Sequence, residues 1–293
     1  MDASDTIATA EGRFTAEIAG APGAPLVLML HGFPQTRHTW RRQVPALARA
    51  GYRVIAPDQR GYSPGVRPPP TDLDAYRLDR LVADVLDLAT AAGYGGSHRF
   101  HLVGHDWGGQ VAWAVAARHP DRIASLAVLS RPHPAAFLRA MRENADGQQE
   151  RSRHHRAFHD PATATRMLAD DARRFRAALT AQGVPEPAIA EYLSVLGTDD
   201  ALESALAWYR AAGGLSLELG PIAAPTLYLW GDVDATVGRP AAMATAEYVT
   251  GPFRMETIAG VGHFITDQAP DAVTTLLLAH LAENAARASS SVP

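Results

Sequence analysis

The sequence predicts an α/β fold: a mostly parallel central sheet flanked by helices, interrupted by one helical insertion. Two observations lead there. Short apolar runs alternate with amphipathic stretches from Pro25 onward, and that rhythm stops after Ser130 and resumes at Pro225. The chain has 293 residues, 47% hydrophobic and 20% charged, an ordinary globular composition that excludes disordered, collagen-like and coiled-coil classes. A chain of this length buries roughly three quarters of its unfolded surface, so one sizeable domain carrying an insertion suffices.

Taken in order, residues 6–10 and 13–18 read as an antiparallel hairpin around Glu11-Gly12. Residues 25–30, 53–56, 100–104, 123–130 and 226–230 are near-continuous apolar runs, the signature of strands covered on both faces. Between them, residues 76–92 carry Leu78, Leu81, Val82, Val85, Leu86 and Leu88 as an apolar helical stripe. From 131 to 220 only helical patterns occur. The expected organisation is a core of residues 1–130 and 221–293, with 131–220 as a helical lid. Its first half, 131–176, is rich in arginine and reads as a solvated helix face, and the Ala- and Ser-rich tail after Glu283 is expected to fray. Trp40 and Trp113 read as packing residues.

Charge and cysteine usage narrow the classes. There are 27 cationic residues, every one an arginine, against 31 acidic ones, a net −4 without the basic footprint of a nucleic-acid binder. The absence of cysteine excludes disulfides, thiol catalysis and Cys-ligated metals. No secretory pattern opens the chain and no long apolar run occurs, so no membrane association and a cytoplasmic location are expected.

A serine-hydrolase scan finds Gly61-Tyr62-Ser63-Pro64-Gly65, which fails on mechanics. A nucleophile elbow needs a strand before it, a helix after it and an N–H on the following residue, and Pro64 has none. Ser63 is therefore a turn residue. Gly104-His105-Asp106-Trp107-Gly108 has the right context, with strand 100–104 before it and a helix over 110–117 after it. Asp106 is the candidate nucleophile, its competing role being a helix N-cap. His263, in the loop between strand 253–258 and helix 270–283, is the candidate base. Asp234 is favoured over Asp232 as its orienting carboxylate, although spacing alone does not separate the two. At the end of strand 25–30, His31-Gly32-Phe33-Pro34 offers the Phe33 N–H to pair with that of Trp107 as an oxyanion hole, and its tight turn suggests a cis Pro34. His155 and His159 stand four apart, but no third ligand is evident, so no metal is expected.

Together His31-Gly32-Phe33-Pro34-Gln35, Asp58-Gln59-Arg60-Gly61-Tyr62-Ser63 and Gly104-His105-Asp106-Trp107-Gly108-Gly109 resemble the α/β-hydrolase superfamily over about residues 14–281. The resemblance is to its aspartate-nucleophile branch, and most to the epoxide hydrolases. It implies a cofactor-free enzyme acting on a small, apolar epoxide through an ester on Asp106, which water activated by His263 hydrolyses. Epoxide hydrolases assist the leaving oxygen with two lid tyrosines. Ala207-Trp208-Tyr209-Arg210 is similar to the pattern carrying one of them, which implies Tyr209 as an acid. Where relatives carry the other, this chain offers His154 or His155, with Tyr192 as a further phenol elsewhere in the insertion. Haloalkane and fluoroacetate dehalogenases share the Asp/His/Asp arrangement. Trp107 suits the first and a lid histidine beside a tyrosine the second. Against them, Phe33 stands where the first often has Asn, and Trp107 and Gln110 stand where the second should have Arg. A ligand-binding relative with little turnover is the reading from a different class.

Overall fold

The computed structural model describes residues 5–212 and 219–289; residues 213–218 of the expected insertion, and the terminal residues 1–4 and 290–293, lie outside the described residues. Eight strands, β1 (Asp5–Thr9), β2 (Gly12–Ala19), β3 (Leu26–Leu30), β4 (Arg53–Pro57), β5 (Phe100–His105), β6 (Ile123–Leu129), β7 (Thr226–Gly231) and β8 (Phe253–Ile258), form one sheet in the order β1-β2-β4-β3-β5-β6-β7-β8. The N-terminal hairpin pairs antiparallel and adds to β4, and every other pairing is parallel.

Every residue of β3, β5, β6 and β7 is buried, which is why these strands are legible as unbroken apolar runs. Alternate residues feed two cores. Leu28, Leu30, Leu102 and Val128 pack with Val85, Leu88 and Trp113 on one face, whereas Val27, Met29, Val103 and Leu229 pack with Trp40, Val44 and Leu277 on the other. The covering helices include α1 (Gln43–Arg49), α2 (Leu78–Ala91) and α3 (Trp107–Arg118). α3 begins three residues before the expected helix, because Trp107-Gly108-Gly109 are weak helix formers by propensity yet are seated by a close approach. A Cβ on Gly108 would stand 2.2 Å from the carbonyl oxygen of Leu30.

Between β6 and β7 lie α4 (Pro134–Glu143), α5 (Gln148–Arg151), α6 (His154–Ala157), α7 (Thr163–Thr180), α8 (Glu186–Leu196) and α9 (Asp199–Ala211), with no strand among the described residues. α7 is interrupted where Asp170, Asp171 and Ala172 take positive φ. After β7 come α10 (Arg239–Ala244), α11 (Ile265–Gln268), α12 (Pro270–Glu283) and α13 (Ala285–Ser289). The tail expected to fray after Glu283 therefore continues as α13, its alanines favouring helix.

Side chains tie this helical segment to the sheet domain. Trp208 Nε1 donates to the carbonyl of Arg60 at 2.9 Å, and Gln148 Nε2 donates to that of Thr236 at 2.7 Å. The segment around Arg60 is itself scaffold: its buried guanidinium grips Asp84 at 2.7 and 2.8 Å and reaches Glu11 at 2.8 Å. Ser63 Oγ donates to the carbonyl of Asp58 and accepts from the Thr15 N–H, both at 2.8 Å, as befits a turn residue. No helix among the described residues is long and apolar enough to cross a membrane.

Candidate active site

The carboxyl ends of β3, β5 and β7 bring the sequence-derived residues together, where open parallel sheets collect their ligands. Asp106 stands between β5 and α3 with φ 48° and ψ −116°, a strained backbone for a residue with a side chain. Gly32 makes room for it: a Cβ there would lie 2.4 Å from that of Asp106. The Asp106 carboxylate is divided in its partners. Oδ2 accepts from the Trp107 N–H at 2.5 Å and the Phe33 N–H at 3.3 Å, while Oδ1 lies 3.2 Å from His263 Nε2. The first turn of α3 adds its partial positive charge. The Phe33-Pro34 peptide is cis.

His263 Nδ1 is 2.9 Å from Asp234 Oδ2. The other oxygen, Asp234 Oδ1, accepts from the N–H and hydroxyl of Thr236, both at 2.7 Å, and from the Val237 N–H at 3.0 Å. Asp232 faces away and caps the Gly260 N–H at 2.7 Å on the exposed side of the loop. Of the two candidate carboxylates, geometry brings Asp234 to the imidazole and leaves Asp232 in the turn.

Burial opposes charge on both members of the Asp106–His263 pair, but their mutual attraction prevails. Asp106 is held below the usual carboxylate range by the hydrogen bond and charge of His263, and Asp234 and Asp106 together hold His263 above its ordinary value. Burial keeps Tyr209 well above its ordinary value, with the Asp106 carboxylate adding to the effect, so the phenol retains its proton.

Tyr209 on α9 packs edge-on against Trp107, Phe33 and Phe158, with ring centroids 5.0, 5.5 and 4.8 Å away. His155 lies 5.4 Å from Tyr209, ring to ring, and with Trp107, Tyr209 and Arg131 it lines a cavity of about 330 Å³. His154 packs on Phe158 at 5.6 Å. Burial lowers both histidines, His155 to about 3; after burial, Asp106 is the leading influence on His154, whereas His154 itself and Arg131 act first on His155. Both are neutral near pH 7, so each carries one ring N–H, that of His154 turned toward the carbonyl of Arg151. Tyr192 is not available as a second phenol, because its hydroxyl donates to Asp267 Oδ2 at 2.8 Å in a buried network with Gln35 and Arg41. Among the described residues no group of three or more His, Cys, Asp or Glu is placed to hold a metal ion.

Two contributors escape the motif reading. His105 Nε2 donates to the carbonyl of His263 at 2.8 Å, and burial lowers its pKa to about 4, so a neutral imidazole pins the loop bearing the base. Arg131 stands two residues beyond β6, at the end of the sheet where ligands collect, and that position is the signal that marks it.

An elbow carboxylate, a buried imidazole and paired N–H donors on the carboxyl edge of such a sheet define a hydrolase-type site. The chain belongs to the alpha/beta hydrolase fold family, whose model matches residues 25–270. It is 33% identical over 307 residues to epoxide hydrolase A of Mycobacterium tuberculosis, covering 90% of this chain and 92% of that one. It is also 32% identical over 286 residues to mouse (Mus musculus) epoxide hydrolase 4, covering 94% and 78%. Among solved structures, a Bacillus megaterium epoxide hydrolase in complex with an inhibitor superposes with a TM-score of 0.84 at 25% identity, over 95% of this chain and all (100%) of the other. The protein is a hydrolase, similar to these epoxide hydrolases.

Proposed function

We propose that the enzyme opens an epoxide to a vicinal diol through a covalent ester on Asp106. Asp106 Oδ1 attacks a ring carbon, the C–O bond breaks, and Tyr209 gives its proton to the opening oxygen, with His154 or His155 as the second donor. In the ester the Asp106 charge is gone, and with it one of the influences that raise the His263 pKa, so the imidazolium gives its proton to solvent and is ready to act as a base, regaining one from solvent when the Asp106 charge returns. His263 Nε2 takes a proton from water while the hydroxide adds to Asp106 Cγ. The developing oxyanion is Oδ2, already between the N–H groups of Phe33 and Trp107. Collapse expels the second alkoxide, which receives the proton from His263. The carboxylic acid left on Asp106 ionises, and its proton restores the Tyr209 phenol. Residues 131–220 serve as the lid over this chemistry and bring Tyr209, His154 and His155 to it.

The observation that carries the reading is the division of the Asp106 carboxylate, one oxygen toward the base and the other between two N–H donors. The same division supports hydrolysis at the Asp carbonyl, which a capping aspartate does not need. The relatives named epoxide hydrolase support the choice of an epoxide. The test is the intact mass of a His263→Gln variant incubated with styrene oxide and, separately, with organohalides. The reading expects a stalled adduct on Asp106 with the full mass of the epoxide. An adduct only from organohalides, without the halogen, overturns it in favour of a dehalogenase, and no adduct removes the ester.

A further inference from the structure

Arg131 brings to the cavity beside Tyr209 a charge that no side chain there balances. Its backbone carbonyl accepts from Trp113 Nε1 at 3.0 Å, its Nε donates to Gln110 Oε1 at 2.9 Å, and its guanidinium lies over the Phe137 ring at 4.4 Å. These contacts hold the head group in place without using its terminal nitrogens, which have no hydrogen-bond partner among the described residues. None of the contacts is to a carboxylate. Arg156, on the same cavity wall, also has no ion pair among the described residues. Elsewhere some partly buried arginines are matched by acids, as Arg60 is by Asp84 and Arg41 by Asp267, and others by backbone carbonyls, as Arg53 is by that of Gly20 and Arg122 by that of Tyr94. The described lining contains no Asp or Glu; its titratable members are Arg131, Arg156, His155, His159 and Tyr209.

A fixed, half-buried guanidinium with a free edge gains when an anion completes it. Burial works against the Arg131 charge, and Asp106 is the leading carboxylate that favours it. Ester formation removes that carboxylate's charge, so during the reaction Arg131 loses its main compensation. An anion carried by the substrate would supply it throughout. The cavity wall holding Arg131 also contains Trp107 and Tyr209, which puts the cation on the same cavity as the proposed acid.

We infer that the substrate is an epoxide bearing a carboxylate, gripped by the terminal nitrogens of Arg131 while its ring faces Asp106 and Tyr209. This rests on the epoxide-hydrolase reading and narrows it from apolar epoxides to epoxy acids. Planar guanidinium suits a carboxylate because two parallel N–H groups meet two oxygens.

The test compares phenylglycidate with phenylglycidamide, which share the ring and the phenyl group and differ in charge. In the unmodified enzyme kcat/KM is expected to favour the acid by roughly tenfold to a hundredfold, the worth of a charge-assisted hydrogen bond. The ratio should collapse toward unity in Arg131→Met and be partly kept in Arg131→Lys. Because a variant can misfold, phenylacetate is also titrated against the unmodified enzyme: competitive inhibition by the acid and none by phenylacetamide supports the anchor. Equal kcat/KM for acid and amide, or a ratio unchanged in a folded Arg131→Met, overturns the anchor and leaves the epoxide chemistry standing. Failure to hydrolyse acid, amide and styrene oxide alike overturns the epoxide reading, and the acid-substrate inference with it.

Discussion

Replacing Asp234 by Asn separates the two halves of the reaction. The carboxylate is buried, with Oδ2 on His263 Nδ1 at 2.9 Å and Oδ1 on the three donors of Thr236 and Val237. An asparagine retains the oxygen that holds the loop but turns an NH₂ toward Nδ1. Two donors then face each other and Nδ1 keeps only the Thr236 hydroxyl, 2.7 Å away, as a partner, which favours the tautomer with the N–H on Nε2, where the lone pair is needed to take a proton from water. Loss of the charge-assisted bond alone accounts for roughly 1.5 to 3 kcal/mol, or about ten- to a hundredfold. The wrong tautomer brings the expected loss to roughly 10³- to 10⁴-fold, the scale seen when a triad Asp becomes Asn in serine proteases. That loss falls on ester hydrolysis, because attack by Asp106 needs no base. Rapid quenching followed by intact mass would show the ester forming within a few-fold of its normal rate and then persisting. Asp232→Asn, which disturbs only the Gly260 turn, serves as the control and is expected to turn over normally. Unimpaired ester hydrolysis in Asp234→Asn, or a comparable loss in Asp232→Asn, would refute the assignment.

Tyr209→Phe keeps the ring packing on Trp107 and Phe33 and removes the proton donor, so ester formation should slow by about 10²-fold or more. Single-turnover rates on styrene oxide check this, and an unchanged rate would assign the acid elsewhere. His101, His105, His133 and His280 are each pushed by burial down to about 4, so between that value and the unfolded histidine pKa near ~6.5 the unfolded chain binds more protons. Stability should therefore fall as pH is lowered through this window. His263, raised in the fold, is protonated in both states there and adds nothing. Urea unfolding across the window should report an uptake of roughly two or more protons, and a flat profile would contradict the burial argument.

The parts legible in the sequence are those whose cause is local. β3, β5, β6 and β7 are apolar at successive positions because helices cover both their faces. Asp106, His263 and Asp234 stand in loops that follow strands, where their neighbours in sequence create the geometry. The first turn of α3 was hidden because glycines suggest a loop unless Leu30 is known to pass over Gly108. Contacts distant in sequence were illegible. His105 meets the carbonyl of His263 across 158 positions, and Tyr192, a plausible acid by residue type, is taken by Asp267 across 75. Arg131 was one of many arginines in a stretch read as a solvated face, and its environment depends on Gln110 and Phe137 packing around it.

The covalent role of Asp106 is tested most directly by one turnover in heavy-oxygen water, with enzyme in excess over styrene oxide. If hydrolysis occurs at Asp106 Cγ, the peptide containing Asp106 gains heavy oxygen and the diol of that first turnover carries light oxygen from the enzyme. Heavy oxygen found only in the diol, with Asp106 unlabelled, would mean that water attacks the epoxide itself and would contradict the account.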